Sequence, residues 1–157
     1  MNRYYGKYRG TVVQNVDPEQ RGLIPSSWAM PCVPVAGKQS GVYVVPQIGA
    51  GVWIEFEQGD PDYPVWVGGF WGSAAEVPAL ALAGNPASPS VVLQSGLQNT
   101  IAISDVPGPA GGILLKSVTG AMIMVNEVGI TISNGQGATI VLAGPTVTVN
   151  NGALVVT

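Results

Sequence analysis

VWIEFEQGDPDYPVWVGGFWG, residues 52–72, is the stretch from which the rest of the chain can be read. Val52, Ile54 and Phe56 alternate with Trp53, Glu55 and Glu57, the two-residue period of a strand with one buried face. Gly59, Asp60, Pro61, Asp62 and Pro64 then crowd together residues that tolerate positive φ, fix φ or bond their own backbone, so the chain must reverse. The return limb begins at Val65, and Gly68 and Gly69 let it bend before Phe70 and Trp71. Trp53, Trp66 and Trp71, three of the four tryptophans, lie on this hairpin, and with Phe56 they are expected to supply much of its domain's core.

Composition sets the class around that hairpin. The 157 residues are 46% hydrophobic but only 10% charged, with 22 Gly and 13 Pro, which suits one or two small all-β domains rich in turns. So few charges imply that much of the surface is hidden against copies of the chain or against partners. The net charge of −3 says little by itself, and a single cysteine, Cys32, excludes an internal disulfide. The first ten residues, MNRYYGKYRG, contain no apolar signal segment. Residues 77–104 carry no charge, but Pro78, Pro86 and Pro89 with Asn85, Gln94, Gln98 and Asn99 make them too polar and too broken for a membrane span. A soluble chain without a transmembrane segment is expected.

Upstream of the hairpin, Arg3, Lys7 and Arg9 interleave with Tyr4, Tyr5 and Tyr8. This cluster has two readings: a stacking platform for single-stranded nucleic acid, or a barrel rim whose cations pair with Asp17, Glu19 or a partner protein, which the overall acidity favours. Residues 10–16 read as a long first strand ended by Asp17-Pro18. RGLIP leads on to Ser26-Ser27-Trp28, and Pro31 and Pro34 restrict the next stretch to an edge. Residues 42–45 read as a further strand, giving a small antiparallel barrel.

The run SSWAMPCVPVAG followed by VYVVPQIGAGVWIEFEQGDPDYPVWVGGFWG resembles the oligonucleotide/oligosaccharide-binding (OB) domain in the central spike of contractile injection machines. That family includes phage baseplate assembly protein V, the cell-puncturing device of large myophages and the VgrG spikes of type VI secretion. Its members carry a longer second strand where only RGLIP stands here, so either this barrel lacks part of a strand or a neighbouring chain completes it.

Residues 73–90 look like a semi-extended linker, too short for the lysozyme-like insertion of some relatives. Beyond it the only charges are Asp105, Lys116 and Glu127, and short strands recur about every eight residues between Gly or Asn turns, the mark of a stacked repeat. Ile130 and Ile132 alternate with Thr131 and Ser133, and Val147 and Val149 with Thr146 and Thr148, giving each strand an apolar and a hydroxyl face. One chain cannot enclose such a face, and three around one axis can. The resemblance implies the same, because the family's C-terminal part is an intertwined trimeric β-helix. The expected organisation is an OB collar at 1–72, a linker at 73–90 and a β-helical needle at 91–157, with Ile130, Ile132, Ile140, Leu142, Val147 and Val149 inside.

No catalytic, cofactor or metal site is expected. Without histidine the chain lacks the usual general base and commonest metal ligand. Cys32 reads as a packed residue, and Glu57, Asp60 and Asp62 as a solvated turn, since a calcium loop needs six or more oxygens. Glu55 and Glu57 share a strand face, without the cleft that paired carboxylates need. Gly49-Gly51 and Gly135-Gly137 begin GxGxxG patterns that Ile54 and Ile140 interrupt.

Together these readings predict a non-enzymatic homotrimeric spike of a contractile phage tail or extracellular injection particle, assembled in the producer cytoplasm, that opens the target membrane on sheath contraction. The collar, through Arg3, Tyr4, Tyr5, Lys7, Tyr8 and Arg9, would face a separate hub. Leu154, Val155, Val156 and Thr157 would bind a PAAR-like tip protein. The alternative is an OB nucleic-acid-binding module with a self-associating tail.

Overall fold

The computed structural model describes residues 2–16, 28–84, 86–88 and 90–156, and the chain divides into two compact units, Met1–Glu76 and Val77–Thr157. The expected turn at Asp17-Pro18, the RGLIP connection and Ser26-Ser27 lie outside the described residues, as do Glu19 and Thr157.

In the first unit β1 (Tyr8–Thr11), β5 (Gly51–Phe56), β6 (Pro64–Phe70) and β2 (Met30–Pro31) form one sheet in that spatial order. β3 (Ala36–Gly37) and β4 (Ser40–Gly41) make a separate small hairpin. The β5–β6 reversal forms as expected, with Asp60 Oδ1 accepting the Asp62 N–H at 3.1 Å and Glu57 N–H donating to Tyr63 O at 3.0 Å. The register shifts between Trp53 and Ile54, so that Trp53 faces Gly68 while Ile54 faces Trp66. This bulge puts Trp66 on the same side as Val52 and Ile54. Val12, Ala29, Val52 and Trp66 are the buried hydrophobic cluster, and Ala50 and Ile54 pack against it.

Four expectations for this unit need correction. The first strand is Tyr8–Thr11, not residues 10–16; beyond it Val12 N–H still bonds Ala50 O, but Val13 and Val16 are exposed. Residues 42–45 form no strand despite their β-branched composition, because among the described residues no neighbouring strand pairs with them. Of the expected hairpin core only Trp66, 7% exposed, belongs to the buried cluster: Trp71 is 63% exposed, Trp53 packs on Phe70 on the other face of the sheet, and Phe56 packs on Tyr4 and Tyr8. Cys32, expected to be packed, is exposed.

The second unit opens on a single helical turn, α1 (Ala79–Leu82), where a linker was expected. Eight strands follow: β7 (Val91–Gln94), β8 (Thr100–Ser104), β9 (Gly112–Lys116), β10 (Met122–Asn126), β11 (Gly129–Ser133), β12 (Thr139–Ala143), β13 (Thr146–Val149) and β14 (Leu154–Val156). They form one antiparallel sheet in which every strand pairs with its sequence neighbours. This differs from the expected intertwined β-helix. Strands of intertwined chains borrow partners from neighbouring copies, but β8 to β13 each have two hydrogen-bonded neighbours within their own chain. The backbone edges are therefore satisfied locally, and what the unit leaves open is a face.

The repeat is also longer than eight residues. From β9 to β13 the strands begin at Gly112, Met122, Gly129, Thr139 and Thr146, in steps of 10, 7, 10 and 7 residues, so the unit of repetition is a 17-residue pair of strands. Its two connections have distinct chemistry. In the five-residue loops the first residue closes on the last by backbone bonds: Ser95 N–H to Asn99 O at 2.9 Å, Ser117 to Ala121 at 2.8 Å and Asn134 to Ala138 at 3.1 Å. The first side chain then accepts the last N–H, Ser95 Oγ from Asn99 at 3.1 Å, Ser117 Oγ from Ala121 at 3.1 Å and Asn134 Oδ1 from Ala138 at 3.0 Å. Side-chain acceptors of this kind stabilise turns by occupying backbone donors that would otherwise lack partners. At the opposite edge β10 joins β11 through Glu127 and Val128, where Asn126 Oδ1 accepts the N–H groups of Val128 and Gly129, and β12 joins β13 through Gly144 and Pro145. Gly112 and Gly129, one repeat apart, both have positive φ, and a Cβ on either would overlap a carbonyl oxygen, that of Val125 or of Leu142. Only glycine lets the backbones approach so closely there.

Candidate assembly face

Because side chains alternate along a strand and directly paired residues share a face, the register of the second unit assembles its site. One row runs Val91, Ile103, Ile113, Val125, Ile130, Leu142, Val147 and Val156; the other runs Leu93, Ile101, Leu115, Ile123, Ile132, Ile140, Val149 and Leu154. These two ladders place sixteen aliphatic side chains on one face of the sheet without a polar interruption. All six residues expected in the interior lie on them: Ile130, Ile132, Ile140, Leu142, Val147 and Val149. Most of the side chains remain well exposed in the single chain, from 37% at Leu142 to 65% at Leu93. A continuous apolar surface of this extent is not tolerated on a monomer and marks an interface. Sealing the exposed half of each side chain is worth about 1 kcal/mol per residue.

The reverse face carries Val92, Ala102, Leu114, Met124, Thr131, Val141, Thr148 and Val155 along its middle row. It is closed differently along its length. At the β7 to β10 end, Leu80 of the α1 turn lies over it and borders a cavity of about 200 Å³ with Ala102, Leu114 and Met124. Farther on, hydroxyls at Thr131 and Thr148, which water can solvate, alternate with Val141 and Val155. The chain therefore covers part of this face with its own residues and breaks the rest with hydroxyls, whereas the other face is aliphatic throughout. At the far edge Leu154, Val155 and Val156 of β14 are exposed, and β14 has one strand neighbour, β13, among the described residues.

In the first unit the basic and aromatic residues near the N-terminus are engaged by the hairpin. Tyr4, Tyr8 and Phe56 form a ring cluster with centroids 5.6 to 6.3 Å apart. Arg3 Nη1 donates to Gln58 O at 3.0 Å and Tyr4 N–H to Gly59 O at 2.8 Å. On the opposite face of the sheet Arg9 lies across from Trp53, its guanidinium 5.5 Å from the centroids of both Trp53 and Phe70, whose rings are 5.0 Å apart. Lys7 pairs with Glu55 at 3.4 Å, a partner that the sequence reading did not name. Tyr5 alone of the three tyrosines is mostly exposed, at 73%. Arg3, Lys7 and Arg9 are thus each engaged by a group of the hairpin, whereas a nucleic-acid backbone requires Lys and Arg side chains facing phosphates. Among the described residues no group of three or more His, Cys, Asp or Glu is placed to hold a metal ion, and no helix is long and apolar enough to cross a membrane.

Sequence reasoning named residues of one face in the last repeats and missed the earlier half of the ladders, Val91 to Val125. The same alternation was present there, in VVLQ, TIAIS, GILLK and MIMVN. Comparison with known families adds two matches. Residues 8–71 match the model of the type VI secretion system/phage-baseplate injector OB domain, and residues 90–155 match that of the phage baseplate V C-terminal trimerisation domain. A search of curated proteins gives no match.

Proposed function

Because the chain belongs to the phage baseplate V family, carrying the injector OB domain and the trimerisation domain in that order, we infer that it is the homotrimeric central spike of a contractile phage tail or of a phage-derived injection particle. Its work is mechanical. The observation that carries this reading is the pair of aliphatic ladders spanning all eight strands of the second unit. Three such sheets, each turning its aliphatic face inward, close a dry prism in which all three chains are buried alike. Strands stacked about 4.8 Å apart give a shaft about 34 Å long from first strand to last. Sheath contraction would drive this shaft into the target membrane, with force concentrated on its narrow end.

In this arrangement the OB domain forms the collar that meets a separate hub protein, with Tyr5 the most available of the N-terminal aromatic residues. The exposed edge and side chains of β14 would receive a PAAR-like tip protein through backbone pairing and apolar contact. The particle is a virion tail or an extracellular device built in the producer's cytoplasm. A role in catalysis is not part of this reading, since both matched domains are structural baseplate components.

Imaging an intact particle with the chain labelled tests the reading directly. The label is expected on the central axis at the distal end of the baseplate, and a label on the sheath, the tail fibres or outside the particle would overturn it.

A further inference from the structure

Two Asn-Gly pairs occur in loops on the same edge of the sheet, Asn134-Gly135 in the five-residue loop between β11 and β12 and Asn151-Gly152 in the four-residue loop between β13 and β14. Their surroundings differ. Asn134 Oδ1 accepts the N–H groups of Gln136 and Ala138 at 2.9 and 3.0 Å, and the Gly135 N–H donates to Ser133 Oγ at 3.1 Å. Gly135 also packs against the neighbouring loop, where a Cβ would lie 2.7 Å from the Gly120 carbonyl carbon. The carboxamide and the following nitrogen are thus both held in place. Asn151 is exposed, and among the described residues its carboxamide has no hydrogen bond; nothing lies within 4 Å of a Cβ built on Gly152. The tie in that loop belongs to the preceding residue, Asn150, whose Oδ1 accepts the Thr139 N–H at 3.0 Å. Asn150, Asn151 and Gly152 all have positive φ, 48°, 55° and 105°, a run that Asn and Gly tolerate and that leaves the Asn151 side chain in open space.

The structure assigns Asn151 as a site of spontaneous deamidation, with Asn134 as its protected counterpart. The Gly152 nitrogen attacks Asn151 Cγ, the new C–N bond closes a five-membered succinimide, and the side-chain nitrogen leaves as ammonia with the proton from the Gly152 amide. Water then adds to either imide carbonyl and opens the ring to aspartate or to the β-linked isoaspartate, so the net change is loss of ammonia and gain of water. No oxidant, metal or enzyme is needed. Each conversion adds one carboxylate beside β14, in a stretch where the sequence has no charge after Glu127. The chemistry belongs to the loop and does not depend on the spike reading.

Purified full-length protein held in mildly alkaline buffer and digested with chymotrypsin, which cuts after Leu142, gives separate peptides for the two sites. Mass spectrometry and an isoaspartate methyltransferase assay then follow each one. The expected result is conversion at Asn151 at least about tenfold faster than at Asn134, the order of effect that retained hydrogen bonds exert on a barrier. Ser133→Ala is expected to narrow that ratio by freeing the Gly135 nitrogen, and unfolding in urea is expected to bring the two rates close together. Equal rates in the folded protein, faster conversion at Asn134, or a folded protein in which neither site reacts while the urea-unfolded chain does would each overturn the assignment.

Discussion

Ile132 lies directly across from Ile140 in the pairing of β11 with β12, and in the single chain the two remain 41% and 40% exposed. Their contact is an open one: each aliphatic side chain meets its neighbour on the sheet and nothing above it. Light scattering is expected to give three times the 16.1 kDa chain mass. Ile132→Asp or Val149→Asp would bury a carboxylate in the closed prism at a cost of roughly 3 kcal/mol or more per chain, multiplied by the threefold symmetry, and should yield monomers. Thr131→Asp and Thr148→Asp, on the reverse face, should leave the trimer intact. Equal damage from both pairs would show that the aliphatic face is not the interface.

The 17-residue unit predicts a clean deletion. Removing residues 122–138 joins Ala121 to Thr139 and sets β12 beside β9, with Ile140 taking the place of Ile123 opposite Leu115, and Leu142 that of Val125 opposite Ile113. Both ladders survive. The variant should trimerise and be shorter by two strand spacings, about 9–10 Å, in electron micrographs. A deletion variant that stays monomeric would show that the repeats are not interchangeable.

Gly129→Ala should destabilise the second unit by more than about 2 kcal/mol, because the Cβ meets the Leu142 carbonyl oxygen in addition to the backbone strain. Gly137 also has positive φ but open space around it, so Gly137→Ala should cost only the conformational term, about 1–2 kcal/mol. Chemical denaturation of the two variants side by side measures the difference, and similar midpoints would contradict the close approach at Gly129.

In the first unit Arg9→Ala removes a guanidinium shared by Trp53 and Phe70 and should lower stability by about 0.5–1 kcal/mol. Arg9→Lys should recover only part of this, since an ammonium lacks the planar group that stacks. Lys7→Ala should be nearly silent, because the Lys7–Glu55 pair is solvent-exposed. Single-stranded oligonucleotide should show no salt-dependent binding to the protein. Binding abolished by Arg9→Ala would favour the nucleic-acid alternative.

The alternation of Ile130, Ile132, Val147 and Val149 was legible because a period of two with a β-branched stripe encodes a face directly. The pairing of strands into a longer unit was not, since Asn134-Gly135 and Gly144-Pro145 both read simply as turns, although one belongs to a five-residue loop and the other is a tight two-residue connection. Residues 42–45 have the composition of a strand, but a strand also needs a partner, which local sequence does not specify. Trp71 misled for a related reason: its size suggested burial, yet it falls just past the end of β6, where the paired backbone no longer directs it inward. The exposure of Asn151 relative to Asn134 had no signal in the dipeptide itself and depends on Ser133 and on the fold of the loop.

The two lateral edges of the second sheet are unlike, one carrying the four- and five-residue loops after β7, β9, β11 and β13 and the other the seven-residue connection after β8 beside the tight turns after β10 and β12. In the proposed trimer each copy's first edge would meet the next copy's second edge, a head-to-tail contact repeated until it closes. A copy inserted upside down would bring like edge against like edge on both sides. In that trimer the sheet's lopsidedness would act as an orientation filter during assembly, admitting only chains that point the same way and giving the finished rod a front and a back.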